Sequence, residues 1–172
     1  MSRLRRIEQA GRHFFVTTNL ACGVSPLTPR ERDLCLEYLD KARSKHGFAL
    51  FAYVIMPNHA HLLLSSFQST LPKLMRDWKS ESAFAIAKAR KRSGAIWQPR
   101  YFDFILRRAA DFRKEFEYIH NNPVSAALVE RPEDWVWSSA GCYLKKASMI
   151  VRPDVFDVPS DPNEPLWPVP WK

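Results

Sequence analysis

Apolar positions along this chain change period several times, and each change predicts an element. His13-Phe14-Phe15-Val16-Thr17-Thr18 is aromatic and β-branched and reads as a first strand. Cys22-Gly23-Val24-Ser25-Pro26 reads as loop. Thr28-Pro29-Arg30-Glu31 then opens a helix: Thr28 caps, Pro29 suits the first helical position, and Glu31 completes a capping box. Leu34, Cys35, Tyr38, Leu39 and Ala42 recur at helical spacing, and His46-Gly47 closes the helix with glycine at C′. Two strands follow, near 48–55 and 59–65. Pro57 has no N–H for a ladder and Asn58 tolerates turn geometry, so the break falls between them.

A second helix begins near Thr70-Leu71-Pro72. Its stripe is Leu71, Leu74, Met75, Trp78, Ser82, Ala85, Ile86 and Ala89, and Ser93-Gly94 stops it. Trp97-Gln98-Pro99-Arg100 connects to a fourth strand, Tyr101-Phe102-Asp103-Phe104-Ile105-Leu106-Arg107. Asp111 is positioned to cap a third helix running to about Asn121, with Phe112, Phe116 and Ile119 buried. Beyond Pro123 the pattern is irregular. Residues 125–129 allow a short helical turn, and Trp135-Val136-Trp137-Ser138-Ser139 is expected to dock aromatic weight on the core.

The predicted order is βαββαβ followed by a helix. That is an α+β, ferredoxin-like sandwich: a four-stranded antiparallel sheet, two helices on one face, and a third helix added at the sheet. Composition shifts from Pro153 to Lys172, where six of the 13 prolines fall. Residues 1–145 are expected to form the working domain, and 146–172 a Pro/Trp-rich tail of the kind that lies extended. Leu166, Trp167, Val169 and Trp171 would be poorly placed in water, so the tail is expected to fold back near the cleft and limit access.

With 172 residues and a 46% hydrophobic fraction, one domain with a real core is the expectation. A formal charge of +8 favours a polyanionic partner, nucleic acid first, although a basic soluble protein needs no such partner. Cys22, Cys35 and Cys142 are odd in number, far apart and in no C-x-x-C arrangement, so they suggest neither a disulfide framework nor a zinc site. The basic N-terminus lacks the apolar run of a signal peptide, and no apolar run is long enough to span a bilayer. A cytoplasmic protein without membrane contact is expected. The densest basic stretch is the second helix and its end, with Lys73, Arg76, Lys79, Lys88, Arg90, Lys91 and Arg92. It reads as a track along a phosphate backbone or as a solvated helix face.

On the third strand, side chains alternate faces with period two. Ala60, Leu62 and Leu64 point to one side, and His59 and His61 to the other. Two imidazoles at adjacent same-face positions can share one cation, although a wet sheet face carries such residues too. On the third helix, Tyr118 lies off the buried stripe, and Asn122, four residues on, shares its face. A phenol nucleophile and an amide oxygen could both approach a metal there. The alternative is a tyrosine packed at a helix edge and an asparagine capping its end. Pro123 disfavours helical geometry at Asn122, so the helix is expected to end before that face is complete.

Together these runs resemble a known family. Val54-Ile55-Met56-Pro57-Asn58-His59-Ala60-His61-Leu62-Leu63 looks like the HUH motif region of the REP-associated tyrosine transposases. Tyr118-Ile119-His120-Asn121-Asn122-Pro123-Val124 resembles their tyrosine motif, and Trp97-Gln98 and Trp135-Val136-Trp137-Ser138-Ser139 also match. The resemblance spans roughly residues 12–143. Position 60 is alanine rather than a bulky residue, and Phe104 follows Asp103 where the family often has histidine.

The resemblance implies the HUH variant of the ferredoxin-like fold. It also implies a metal-dependent single-stranded DNA endonuclease and transposase that cleaves and rejoins at REP-type hairpins through a 5′-phosphotyrosine. Tyr118 would be the nucleophile and His59, His61 and Asn122 the ligands of Mg2+ or Mn2+. Single-stranded DNA and DNA hairpins are the implied partners. Candidate DNA contacts are Arg3, Arg5, Arg6 and Arg12 on the N-terminal arm, Lys73, Arg76 and Lys79 on the second helix, and Arg107, Arg108, Arg113 and Lys114 near the tyrosine helix. His120 and Glu115 lie close in sequence but are not assigned as the base. A monomer is slightly favoured over a homodimer. The alternative function is a non-catalytic DNA-hairpin-binding regulator on the same fold.

Overall fold

The structure, a computed structural model, describes residues 12–66, 69–144 and 150–166. Its elements are β1 (His13–Asn19), α1 (Pro29–His46), β2 (Phe48–Ile55), β3 (His59–Ser66), α2 (Leu71–Ala89), β4 (Phe102–Leu106) and α3 (Ala109–Ser125). A 3-10 turn (Pro132–Asp134) and a short helix, α4 (Ala140–Leu144), follow. The four strands form one antiparallel sheet in the order β2-β3-β1-β4, as the ferredoxin-like reading requires.

Local chemistry explains the element boundaries. The Thr28 hydroxyl accepts from the Glu31 N–H, and the Glu31 carboxylate accepts from the Thr28 N–H, so the capping box of α1 is complete. Gly47 closes α1 at φ 57°, a left-handed conformation that suits glycine. At the hairpin the Met56 N–H donates to the His59 carbonyl, which folds β3 back on β2 across Pro57-Asn58. The helix α2 ends at Ala89, earlier than Ser93-Gly94. Arg90 caps it, held by a two-pronged ion pair to Glu31.

One sheet face packs on α1 and α2. Phe14, Val16, Leu62 and Leu64 meet Cys35, Leu36 and Leu39 of α1 and Leu74, Trp78 and Ile86 of α2. The other face is covered by α3, through Phe15, Val54, Leu63, Phe112 and Ile119. A bulge at Phe51 turns both Phe51 and Ala52 of β2 to this second face. β2 lies at a sheet edge, and the chain seals that edge. The Ile55 N–H donates to the Trp137 carbonyl, Tyr53 and Ser139 bond reciprocally, and the Asp154 N–H donates to the Leu50 carbonyl. Trp135 Nε1 adds a bond to the Ile55 carbonyl, so the Trp-Ser run docks as expected.

Three sequence expectations need correction. Asp111 is not the N-cap of α3; Arg108 holds that place, and the Asp111 carboxylate reaches back to the Arg108 N–H from the first turn. The helix does not stop near Asn121 but runs through the buried Pro123 to Ser125, and residues 125–129 form no separate helix. Proline costs one backbone bond, yet three others hold the final turn: Ala126 to Asn122, Ala127 to Val124 and Leu128 to Pro123, with Ala127 at φ 53°. Finally, the described part of the tail does not lie at the histidine pair. Asp154 binds β2, the Phe156 ring packs on His13, Phe51 and Phe112, and the Leu166 N–H donates to the Arg107 carbonyl. These contacts sit at the His13 end of β1, whereas His61 pairs with Thr17, about 13 Å along the strand. Trp167, Val169 and Trp171 lie outside the described residues.

His13 is the polar exception in this second core. Its ring is enclosed by Phe51, Phe112 and Phe156, and neither nitrogen has a hydrogen-bond partner. Burial pushes its pKa down to about 4, so the folded protein keeps it neutral. The unfolded chain binds a proton below about 6.5, so stability falls as pH drops from there towards about 4. His13→Phe removes both unpaired nitrogens. It should raise stability by about 1–2 kcal/mol at pH 7 and flatten that pH dependence, read by urea unfolding at pH 7 and pH 5.

Candidate active site

His59 and His61 lie on β3, an inner strand, on the face covered by α3. Strand alternation puts both rings on one side, with centroids 4.7 Å apart. Because α3 continues past Pro123, it lays both Tyr118 and Asn122 over this pair. The Tyr118 ring meets His61 edge-on at 5.2 Å, and Asn122 Oδ1 lies 3.2 Å from His59 Nε2. Tyr118 stays 48% exposed, so its hydroxyl-bearing ring is open to a substrate while its flank packs on Phe15 at 6.0 Å.

Each imidazole is oriented through its other nitrogen. His59 Nδ1 is 2.7 Å from Asn58 Oδ1, which can only accept, so the proton belongs on Nδ1 and Nε2 keeps its lone pair. His61 Nδ1 is 2.8 Å from the Thr17 hydroxyl, and its Nε2 is buried with no hydrogen-bond partner. Phe15 stacks under the His61 ring at 5.3 Å and fixes its plane. Burial lowers both pKa values. His61 is pushed down to about 3, with its neighbour His59 adding to the shift; for His59 the Asn122 oxygen pulls weakly the other way. Both rings are therefore neutral near pH 7, the form that binds metal.

This arrangement fits a cation. His59 Nε2 and Asn122 Oδ1 are two acceptors facing each other at 3.2 Å, and His61 contributes a buried, unpartnered nitrogen. A shared positive ion resolves both. Two imidazole nitrogens and an amide oxygen form a mixed donor set compatible with several divalent metals. Among the described residues no three His, Cys, Asp or Glu side chains gather as a metal cluster; beside the two imidazoles, a further donor could come from the Asn122 amide oxygen.

The remaining predicted residues divide by position. Arg107 and Arg108 are exposed at the end of β4, and Lys114 is exposed on α3. Arg113 also lies on α3, but its guanidinium is bonded to the Pro159 carbonyl. Lys73 and Arg76 are exposed on α2, on the opposite side of the sheet from the histidines. Lys79 is buried, and its ammonium donates to the carbonyls of Gln98, Pro99 and Arg100, so it braces the connector to β4 and does not track phosphates. Arg12 sits at the start of β1; Arg3, Arg5 and Arg6 lie outside the described residues. His120 is buried and turned to Ser139 Oγ at 2.7 Å, a structural bond. Burial raises the carboxyl pKa of Glu115, which lies on α3 beside Lys114. Thr17 and Asn58, which orient the two rings, were not legible as site residues. Asn58 reads as a turn former, and the Thr17–His61 pairing depends on strand register.

Comparison with known proteins gives the family. The sequence profile described as "Transposase IS200 like" matches residues 13–122. A REP-associated tyrosine transposase of Escherichia coli strain K12 is 30% identical over 144 residues, covering 81% of this chain and 82% of that protein. A relative from Haemophilus influenzae, grouped with the same transposases, is 26% identical over 164 residues, covering 81% of this chain and 85% of its own. A solved REP-associated tyrosine transposase bound to a REP hairpin superposes with a TM-score of 0.73 at 25% identity, covering 95% of this chain and 98% of that one.

Proposed function

The chain belongs to the IS200-like transposase family of single-tyrosine DNA transposases, and on that premise we propose that it cleaves and rejoins single-stranded DNA beside REP-type hairpins through a 5′-phosphotyrosine on Tyr118. One observation carries this reading: Tyr118 and Asn122 of α3 meet His59 and His61 of β3 on a single face of one chain. A single copy thus carries the phenol and both imidazoles, which supports a monomer.

A divalent cation, magnesium or manganese, held by His59, His61 and Asn122 would neutralise charge on the scissile phosphate. The residues of the chain do the rest. The Tyr118 hydroxyl attacks phosphorus and yields its proton to solvent. The P–O3′ bond breaks, and the 3′-oxygen takes up a proton and leaves as a free hydroxyl. The new phosphotyrosine keeps the bond energy, so a 3′-hydroxyl can attack it, release the phenol and join strands. Asn58 and Thr17 hold the two imidazoles in place throughout. Arg107, Arg108 and Lys114 offer exposed positive charge to the DNA backbone, with Arg12 and the arm before it as further contacts.

The reading makes the reaction metal-dependent. An end-labelled DNA hairpin with single-stranded flanks should be cut when manganese is present. Excess EDTA should stop cutting, and added Mg2+ or Mn2+ should restore it. Cutting that survives EDTA would remove the ion from this account. The same oligonucleotide bound but never cut would favour a hairpin-binding regulator. Among the described residues no helix is long and apolar enough to cross a membrane.

A further inference from the structure

We propose that Phe102 and Phe104 form a stacking platform for an unpaired DNA base next to the scissile phosphodiester, an inference that rests on the function proposed above. Register places both rings. Phe102 of β4 pairs with Thr17 of β1, which pairs with His61 of β3, so the three form one row across the sheet. Two strand spacings separate Phe102 from His61, about 10 Å. Phe104 occupies the next row, opposite Phe15.

The rings are continuous from the reactive phenol outward. Phe15 lies 6.0 Å from Tyr118 and 5.2 Å from Phe104, and Phe104 lies 5.8 Å from Phe102. Phe102 ends the run on the outermost strand and is 61% exposed. Folding does not require a phenylalanine in water there: α3 covers Phe15 and Leu63 but leaves this ring uncovered. The approach to it is rigid, because Lys79 pins the carbonyls of residues 98–100, and Arg100 is exposed two residues before Phe102. A phosphate bound at the tyrosine carries its base to one side. An open phenyl ring with an exposed arginine two residues before it suits a base and a neighbouring phosphate, and stacking accepts any base because each has a π face.

The test is binding of a DNA hairpin carrying single-stranded oligothymidine flanks, measured by fluorescence anisotropy, with an abasic nucleotide placed at each flank position in turn. Phe102→Ala should weaken binding roughly 5- to 100-fold, and Phe102→Trp should preserve it. One abasic position should cost the unaltered protein a similar factor and cost Phe102→Ala almost nothing more. A blunt hairpin without flanks should not distinguish the variants. Losses that add at every position, or that appear equally on the blunt hairpin, overturn the platform and leave the proposed function standing. A change confined to self-association in sedimentation assigns the ring to a contact between copies and also overturns it. If the unaltered protein binds neither oligonucleotide, the proposed function fails and the platform with it.

Discussion

Tyr118→Phe is expected to abolish strand cleavage, by on the order of 10^4-fold or more, while leaving hairpin affinity unchanged. The substitution removes one oxygen and nothing else. The ring still packs on Phe15 and still meets His61 edge-on, so the helix position and the His59–Asn122 contact persist. What disappears is the only atom proposed to bond to phosphorus. A gel-shift titration and a cleavage assay on the same labelled hairpin separate the two properties. Undiminished cleavage by the phenylalanine variant would mean that water or another side chain attacks. A hairpin-binding regulator on this fold would give equal affinity and no cleavage from either protein.

The second large effect concerns the imidazole pair. His61→Gln keeps bulk against Phe15 and Tyr118 but removes the buried Nε2, one of three proposed donors to the ion. Cleavage should fall on the order of 10^3-fold, and Mn2+ binding to the DNA-free protein, followed by electron paramagnetic resonance, should weaken in step. Thr17→Val is the instructive contrast. Valine is close in shape to threonine but cannot hold the His61 Nδ1 proton, so the ring loses its fixed tautomer while remaining in place. That should lower Mn2+ affinity by roughly 10- to 100-fold, less than removing the nitrogen itself. Equal Mn2+ affinity in all three proteins would dissociate the histidines from the metal.

Much of this molecule was legible because its local signals agree with one another. The Thr28–Glu31 box, Gly47 and the Pro57-Asn58 turn mark boundaries by chemistry confined to a few residues, and strand alternation puts His59 and His61 on one face without any tertiary information. Long-range partners were not legible. Which β1 residue stands opposite His61 is a matter of register, so Thr17 and the row that extends to Phe102 stayed hidden. Pro123 misled because the bias before proline is a preference, and three bonds at the helix end together with burial of the ring outweigh it. Lys79 looked like one more cation on a basic helix until the carbonyls of residues 98–100 appeared around it. Leu166 is the one described residue among the four apolar tail positions, and it is buried, but composition does not say where a segment docks. Phe156 found the cage around His13 at the other end of the sheet face.

A phenol from α3, two imidazoles from β3 and one amide oxygen meet on one face of the sheet, and a trapped intermediate tests whether they act together. The protein is incubated with a labelled hairpin and manganese, denatured, digested and mapped by mass spectrometry for a nucleotide-bearing peptide. A single DNA-linked peptide is expected, with the 5′-phosphate on Tyr118 and a free 3′-hydroxyl on the released strand. Cleaved DNA with no linked peptide, or a linkage at any other residue, would contradict it.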